Sequence, residues 1–93
     1  MKIKKLSAMP YAQAHVELTE ENRIALFSYV TLVAEIVDGW LYVYGLYSQT
    51  TRKHIGAFCK EYANCTYQTA KSLYEKGYRM NIRTGEVVEI ENR

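Results

Sequence analysis

Hydrophobic and polar residues alternate from Tyr11 to Leu18, with Ala12, Ala14, Val16 and Leu18 on one face and Tyr11, Gln13, His15 and Glu17 on the other. A period of two predicts a half-buried strand. The polar cluster Thr19, Glu20, Glu21 and Asn22 supplies a turn, and the β-branched and aromatic run Arg23 to Val37 predicts one long second strand. Asp38-Gly39 separates that run from a third, Trp40 to Tyr47. Asp-Gly between two such runs predicts a two-residue hairpin, because both central residues of a type I′ turn take positive φ.

That turn sets a register. With Val37 opposite Trp40, one face pairs Ile36 with Leu41, Ala34 with Val43, Leu32 with Gly45 and Val30 with Tyr47, an aliphatic set that predicts core. The other face pairs Val37 with Trp40, Glu35 with Tyr42, Val33 with Tyr44 and Thr31 with Leu46, and Tyr29 and Phe27 continue it. It is aromatic, yet it holds a carboxylate. An antiparallel sheet commonly has one dry and one wet face, so rings in this number call for a cover: another element, a second copy or a partner.

The period then changes. Ile55, Phe58, Cys59 and Tyr62 recur at i, i+3, i+4 and i+7, predicting an amphipathic helix from Thr51 to about Ala63 with Ser48 or Thr50 as N-cap. After a break at Asn64, Tyr67, Ala70, Leu73 and Tyr74 predict a second helix from Thr66 to Lys76, closed by Gly77 in the left-handed region. Tyr78, Met80, Ile82, Val88 and Ile90 alternate around Arg83-Thr84-Gly85, a closing hairpin in which Arg79 opposes Glu89. The expected fold is α+β: an antiparallel sheet, a three-stranded meander plus a C-terminal hairpin, packed on an αα hairpin in the order β-β-β-α-α-β-β.

With 93 residues there is room for a single domain spanning 1–93, in which residues 1–10 are a flexible or edge segment. Nine Tyr against two Phe and one Trp place many rings at the boundary of core and water or on a contact surface. Net charge is only +2 but it is segregated. Lys2, Lys4 and Lys5 open the chain, Glu17, Glu20, Glu21, Glu35 and Asp38 face one Arg in residues 15–40, and seven cations face two Glu between 48 and 83. The tail carries Glu86, Glu89 and Glu91 against Arg93. Such a dipolar surface steers a charged partner. No run is apolar enough to span a bilayer, two cysteines are too few for a disulfide scaffold, and the expectation is a cytoplasmic protein with no membrane partner.

His15, His54, Cys59 and Cys65 are the whole supply of soft metal ligands, without C-x-x-C or H-x-x-x-H spacing. His54, five residues before Cys59, falls off the inward face of its helix, so the pair reads as a core cysteine and a near-surface histidine. Glu35 is the one carboxylate set among rings; an edge-of-face glutamate bridged to a tyrosine hydroxyl or to solvent is its simplest role. Gly39, Gly45 and Gly56 match no phosphate loop. No catalytic residue, metal or cofactor is expected, and not an enzyme. The aromatic face, Tyr29, Glu35, Trp40, Tyr42 and Tyr44, is the expected partner-binding surface, for a protein or for a second copy in a homodimer. The acidic loop Glu17, Glu20 and Glu21 is expected to oppose a basic channel. The alternative is nucleic-acid binding through the basic helices, using Arg52, Lys53, Lys60, Lys71 and Lys76.

The runs RIALFSYVTLVAEI (Arg23 to Ile36), GLYSQTTRKHIGAF (Gly45 to Phe58) and AKSLYEKGYRMNIRTGEVVEI (Ala70 to Ile90) resemble a family of small uncharacterised proteins from phages and mobile elements of Firmicutes. The resemblance carries no activity or site residues. It implies a context in which small proteins without catalytic constellations bind a host protein stoichiometrically, and anti-CRISPR inhibitors are similar in size and in lacking motifs. The expectation is therefore a phage-type inhibitor of a host defence nuclease, such as a Cas nuclease, with a nucleic-acid-binding accessory protein as the alternative.

Overall fold

The computed structural model describes residues 1–91, so Arg93, counted in the charge of the tail, lies outside the described residues. Five strands precede the helices: β1 (Lys2–Lys4), β2 (Ala14–Thr19), β3 (Arg23–Ser28), β4 (Thr31–Val37) and β5 (Trp40–Val43). Helices α1 (Gln49–Phe58) and α2 (Tyr67–Lys76) follow, and β6 (Tyr78–Asn81) and β7 (Val87–Glu89) close the chain. All seven strands form one antiparallel sheet in chain order, a meander interrupted once by the helical pair. The class is α+β as expected, with two more strands before the helices than the sequence pattern predicts.

One extra strand comes from residues 1–10, where Lys2–Lys4 pairs with β2 as a sheet edge. The other comes from the run Arg23 to Val37, which is two strands and not one. Ser28 pairs with Thr31 across Tyr29 and Val30, with Tyr29 at φ 58. A tyrosine in the left-handed region is uncommon and carries no turn signal, so composition hides this hairpin. The Asp38-Gly39 turn forms as expected, with φ 51 and 86, and the pairs Val37–Trp40, Ile36–Leu41, Glu35–Tyr42 and Ala34–Val43 hold.

Beyond them the expected register fails. Strand β5 ends at Val43, so Leu32–Gly45, Thr31–Leu46 and Val30–Tyr47 do not pair, and Val30 and Tyr47 are exposed. Tyr47 folds back over Gly45, where an added Cβ would collide with the ring. A register shift at Leu26/Phe27 leaves Val33 without a partner residue on β3. At such a bulge the alternation breaks. Val33 and Ala34 are both fully buried in the core cluster, which removes Val33 from the aromatic face.

Both helices pack on the same side of the sheet, α1 against β3 and β4 and α2 against β5 and β6. The core between them gathers Val16, Leu26, Ala34, Ile36, Leu41 and Met80 from the strands with Ile55, Phe58, Ala70 and Leu73 from the helices. Ser48 caps α1 by accepting from Thr51 N at 3.2 Å, Thr66 caps α2 by accepting from Thr69 N at 3.4 Å, and Gly77 ends α2 at φ 72. The first helix runs on from Phe58 as a π-helical segment, Cys59–Ala63, which Asn64 terminates at φ 53. Among the described residues no helix is long and apolar enough to cross a membrane.

Two further expectations are corrected. His54 is 1% exposed, not near the surface. The buried stripe of α1 is Thr51, His54, Ile55 and Phe58, wide enough to include His54 because the helix lies flat on the sheet and Ser28 of β3 meets the imidazole. The closing hairpin is shifted by one residue, pairing Tyr78 with Glu89 and Arg79 with Val88. Asn81 Oδ1 accepts from Arg83 N and Thr84 N, and with Gly85 at φ 79 this shapes a loop one residue longer than the alternation suggests.

Candidate functional site

The helices cover one face of the sheet, and the closing hairpin extends the sheet edge instead of folding over the other face. Among the described residues no helix or hairpin packs on this outer face. Alternation along the strands places Arg23, Ala25 and Phe27 of β3, Glu35 of β4, Trp40 and Tyr42 of β5 and Arg79 of β6 on it. Ala25, opposite Glu35, is fully buried yet stands outside the core cluster, so neighbouring side chains close over its methyl.

Those side chains form a connected polar and aromatic ladder. Arg23 Nε donates to Glu35 Oε1, and the Tyr44 hydroxyl donates to Glu35 Oε2, so both carboxylate oxygens are engaged. Burial and the adjacent Glu35 carboxylate push the Tyr44 phenol well above its ordinary pKa, with Arg23 pulling weakly the other way. The rings of Tyr44 and Tyr42 stack with centroids 6.4 Å apart and planes 16° apart. Arg79 Nη1 donates to the Tyr42 hydroxyl at 2.8 Å, and the guanidinium lies 4.4 Å from the centroid of Trp40. On the neighbouring strands His15 stacks on Phe27 at 5.0 Å and 3°, and its Nε2 stands 3.0 Å from Glu17 Oε2. At the β7 end, a cleft of about 380 Å³ opens beside Tyr42 and Arg79, with Glu89 and Glu91 on its far wall.

This arrangement is a preordered surface of rings and guanidinium groups. Aromatic and arginine side chains are held in place by one another, which lowers the conformational entropy lost when a partner immobilises them. The buried trio Ser28, Thr51 and His54 is the one Ser–His contact among the described residues, at 2.8 Å from Ser28 Oγ to His54 Nδ1, and all three side chains are buried. Burial holds His54 below its ordinary pKa. Cys59, in the core, and Cys65 are free thiols.

Of the expected partner-binding residues, the outer face unites Glu35, Trp40, Tyr42 and Tyr44. Tyr29 is not with them: it sits in the β3–β4 turn, 55% exposed, with its ring 6.3 Å from His54 on the helical side. Glu17, Glu20 and Glu21 do not make one acidic loop, since Glu17 is a half-buried strand residue bonded to His15 while Glu20 and Glu21 occupy the exposed β2–β3 turn. The five expected nucleic-acid cations also divide. Arg52, Lys53 and Lys60 line one groove, Lys76 lines a separate cleft near Leu73 and Tyr78, and Lys71 is half-buried. Sequence reasoning misses Arg23 and Arg79, the two cations that order the rings. Neither was legible from the turn signals: Arg23 meets Glu35 only across the β3–β4 hairpin that composition hides, and Arg79 meets Trp40 only through the β5–β6 pairing, which no turn signal announces.

The model of a family described as a family of unknown function (DUF8033) matches residues 1–76, from β1 through α2. No curated protein and no solved structure matches the chain at a significant level.

Proposed function

The chain belongs to this family of unknown function, DUF8033, and on that premise we propose that it is a small non-enzymatic interaction protein that binds and inhibits a partner protein through the outer face of its sheet. The observation that carries the reading is the ladder Arg23, Glu35, Tyr44, Tyr42, Arg79 and Trp40 on a face that no helix of the described chain covers. Trp, Tyr and Arg are the residue types that dominate interface hot spots, and rings held in a fixed ladder meet a partner at small entropic cost. The narrower form, a phage-borne inhibitor of a host defence nuclease, rests on the resemblance in the sequence and on the segregated charge. Its acidic contribution comes from Glu20 and Glu21, which are the exposed members of the acidic set.

The test is a cleavage assay with purified RNA-guided nucleases, titrated with the protein and with Trp40→Ala and Tyr44→Ala. The expected result is inhibition that saturates near a one-to-one ratio and weakens at least about tenfold in either variant, the loss of a single hot-spot ring. Cleavage unchanged at excess protein removes the nuclease reading. Light scattering on the same samples decides the wider one: a dimer mass that falls to the monomer in both variants gives the face to a second copy.

A further inference from the structure

The helical side carries a second surface, separate from the ladder. A groove of about 770 Å³ runs between the segment after β1 and the two helices, with Met9, Gly56 and Tyr67 in its floor and Arg52, Lys53 and Lys60 on its rim. Residues 52, 53, 56 and 60 share one stripe of the first helix and its π-helical extension, at i, i+1, i+4 and i+8. Gly56 keeps the floor low: a Cβ there would stand 3.4 Å from Tyr67 Cβ, where the helices meet.

The charged residues of the groove are all cations. No Asp or Glu lines it, and among the described residues neither ion pair involves its three cations. Glu61, the carboxylate next to Lys60 in sequence, is engaged by accepting from Ser7 N at 2.9 Å and Ser7 Oγ at 2.8 Å. Helix first turns commonly hold an acidic side chain to balance the dipole, yet neither α1 nor α2 has one, and Gln49 and Gln68 of those turns line the groove. The hydroxyl of Tyr67 is buried with no hydrogen-bond partner in the structure.

An apolar floor beneath a cationic rim that makes no ion pair among the described residues, with Arg52 Nε donating to Leu46 O at 3.4 Å, selects a ligand with both characters. From Gln49 to Lys60 the groove follows roughly 16 Å of helix, about three turns. We propose that this groove docks an acidic amphipathic helix of a partner protein, its apolar stripe against Met9, Gly56 and Tyr67 and its carboxylates against Arg52, Lys53 and Lys60. Small residues in the floor admit the close approach that helix-in-groove recognition uses. Single-stranded nucleic acid fits less well, because such grooves stack successive bases on several rings and Tyr67 is the only ring here.

The experiment uses the full chain and three labelled probes in fluorescence anisotropy. One is a synthetic helix of about 15 residues with Leu at i, i+3, i+4 and i+7 and Glu elsewhere. The second replaces each Glu with Gln, and the third is an oligothymidine of about 12 nucleotides. The proposal expects the acidic peptide to bind most tightly, more weakly as salt rises, and at least about tenfold more weakly to Lys53→Glu/Lys60→Glu. Both lysines are exposed, so the double variant keeps the fold, which circular dichroism checks. Tyr44→Ala, on the other face, is expected to bind the peptide unchanged, which separates this site from the outer-face reading. Equal binding of the Gln peptide, tighter binding of the oligonucleotide, or no binding of the acidic peptide would each overturn the proposal.

Discussion

The guanidinium of Arg79 lies 4.4 Å from the centroid of Trp40 while its Nη1 donates to the Tyr42 hydroxyl at 2.8 Å, so one side chain of β6 ties down two rings of β5. Arg79→Ala removes a cation–π contact worth about 1 kcal/mol and a hydrogen bond of similar size. The expected loss is roughly 1–2 kcal/mol in urea unfolding. Arg79→Lys is expected to recover only part of it, since an ammonium cannot stack flat on the indole and reach the phenol together. Trp40 is the sole tryptophan, so its fluorescence reports the same event directly. Identical unfolding midpoints for all three proteins would show that the ladder contributes nothing to stability.

Tyr44 and Glu35 supply a pH dependence on the alkaline side. The phenol is raised from its ordinary 10.0 by burial and then by Glu35, so the folded state keeps a proton that the unfolded chain releases. Stability is therefore complete below about pH 10 and falls as pH rises above it. In Glu35→Gln the carboxylate no longer opposes the phenolate, and tyrosinate absorbance is expected to show one tyrosine titrating at lower pH. A titration curve unchanged by that substitution would separate Tyr44 from Glu35.

His54 acts at the acid end. Burial lowers its pKa from the ordinary 6.5, so the unfolded chain binds a proton more readily than the folded one. The stability contributed by neutral His54 is complete above about pH 6.5 and is lost as pH falls below it. His54→Gln, which keeps a hydrogen-bonding group toward Ser28, is expected to flatten the urea midpoint between about pH 7 and pH 5.

What the sequence displays and what it hides follow from how local each determinant is. The Asp38-Gly39 turn and the Gly77 terminator are set by a few adjacent residues and formed where the pattern placed them, and of the two cap candidates, Ser48 and Thr50, Ser48 is the one that caps α1. The pairing of Glu35 with Tyr42 followed from that turn, so four members of the outer face were legible. Val33 moved into the core because a bulge against Leu26/Phe27 breaks alternation, an event with no residue signature here. Arg79 joined the ladder through a pairing between strands that the whole helical hairpin separates in sequence. The burial of His54 is not legible in the helix pattern because it depends on Ser28, a partner supplied by strand β3.

Tyr29 is the most testable of the hidden features, since it turns an apparent single strand into the β3–β4 hairpin at φ 58. Left-handed backbone costs a residue with a Cβ roughly 1–2 kcal/mol, and a branched Cβ adds to the crowding. Tyr29→Gly removes that strain and gives up the ring contact with His54, so its stability is expected to stay within about 1 kcal/mol of the parent. Tyr29→Val keeps the strand propensity of the run and worsens the turn, and is expected to lose about 1 kcal/mol or more. Urea unfolding of the three proteins therefore ranks Gly and Tyr together above Val. A Val variant as stable as the parent would mean that the run from Arg23 to Val37 does not turn at this residue.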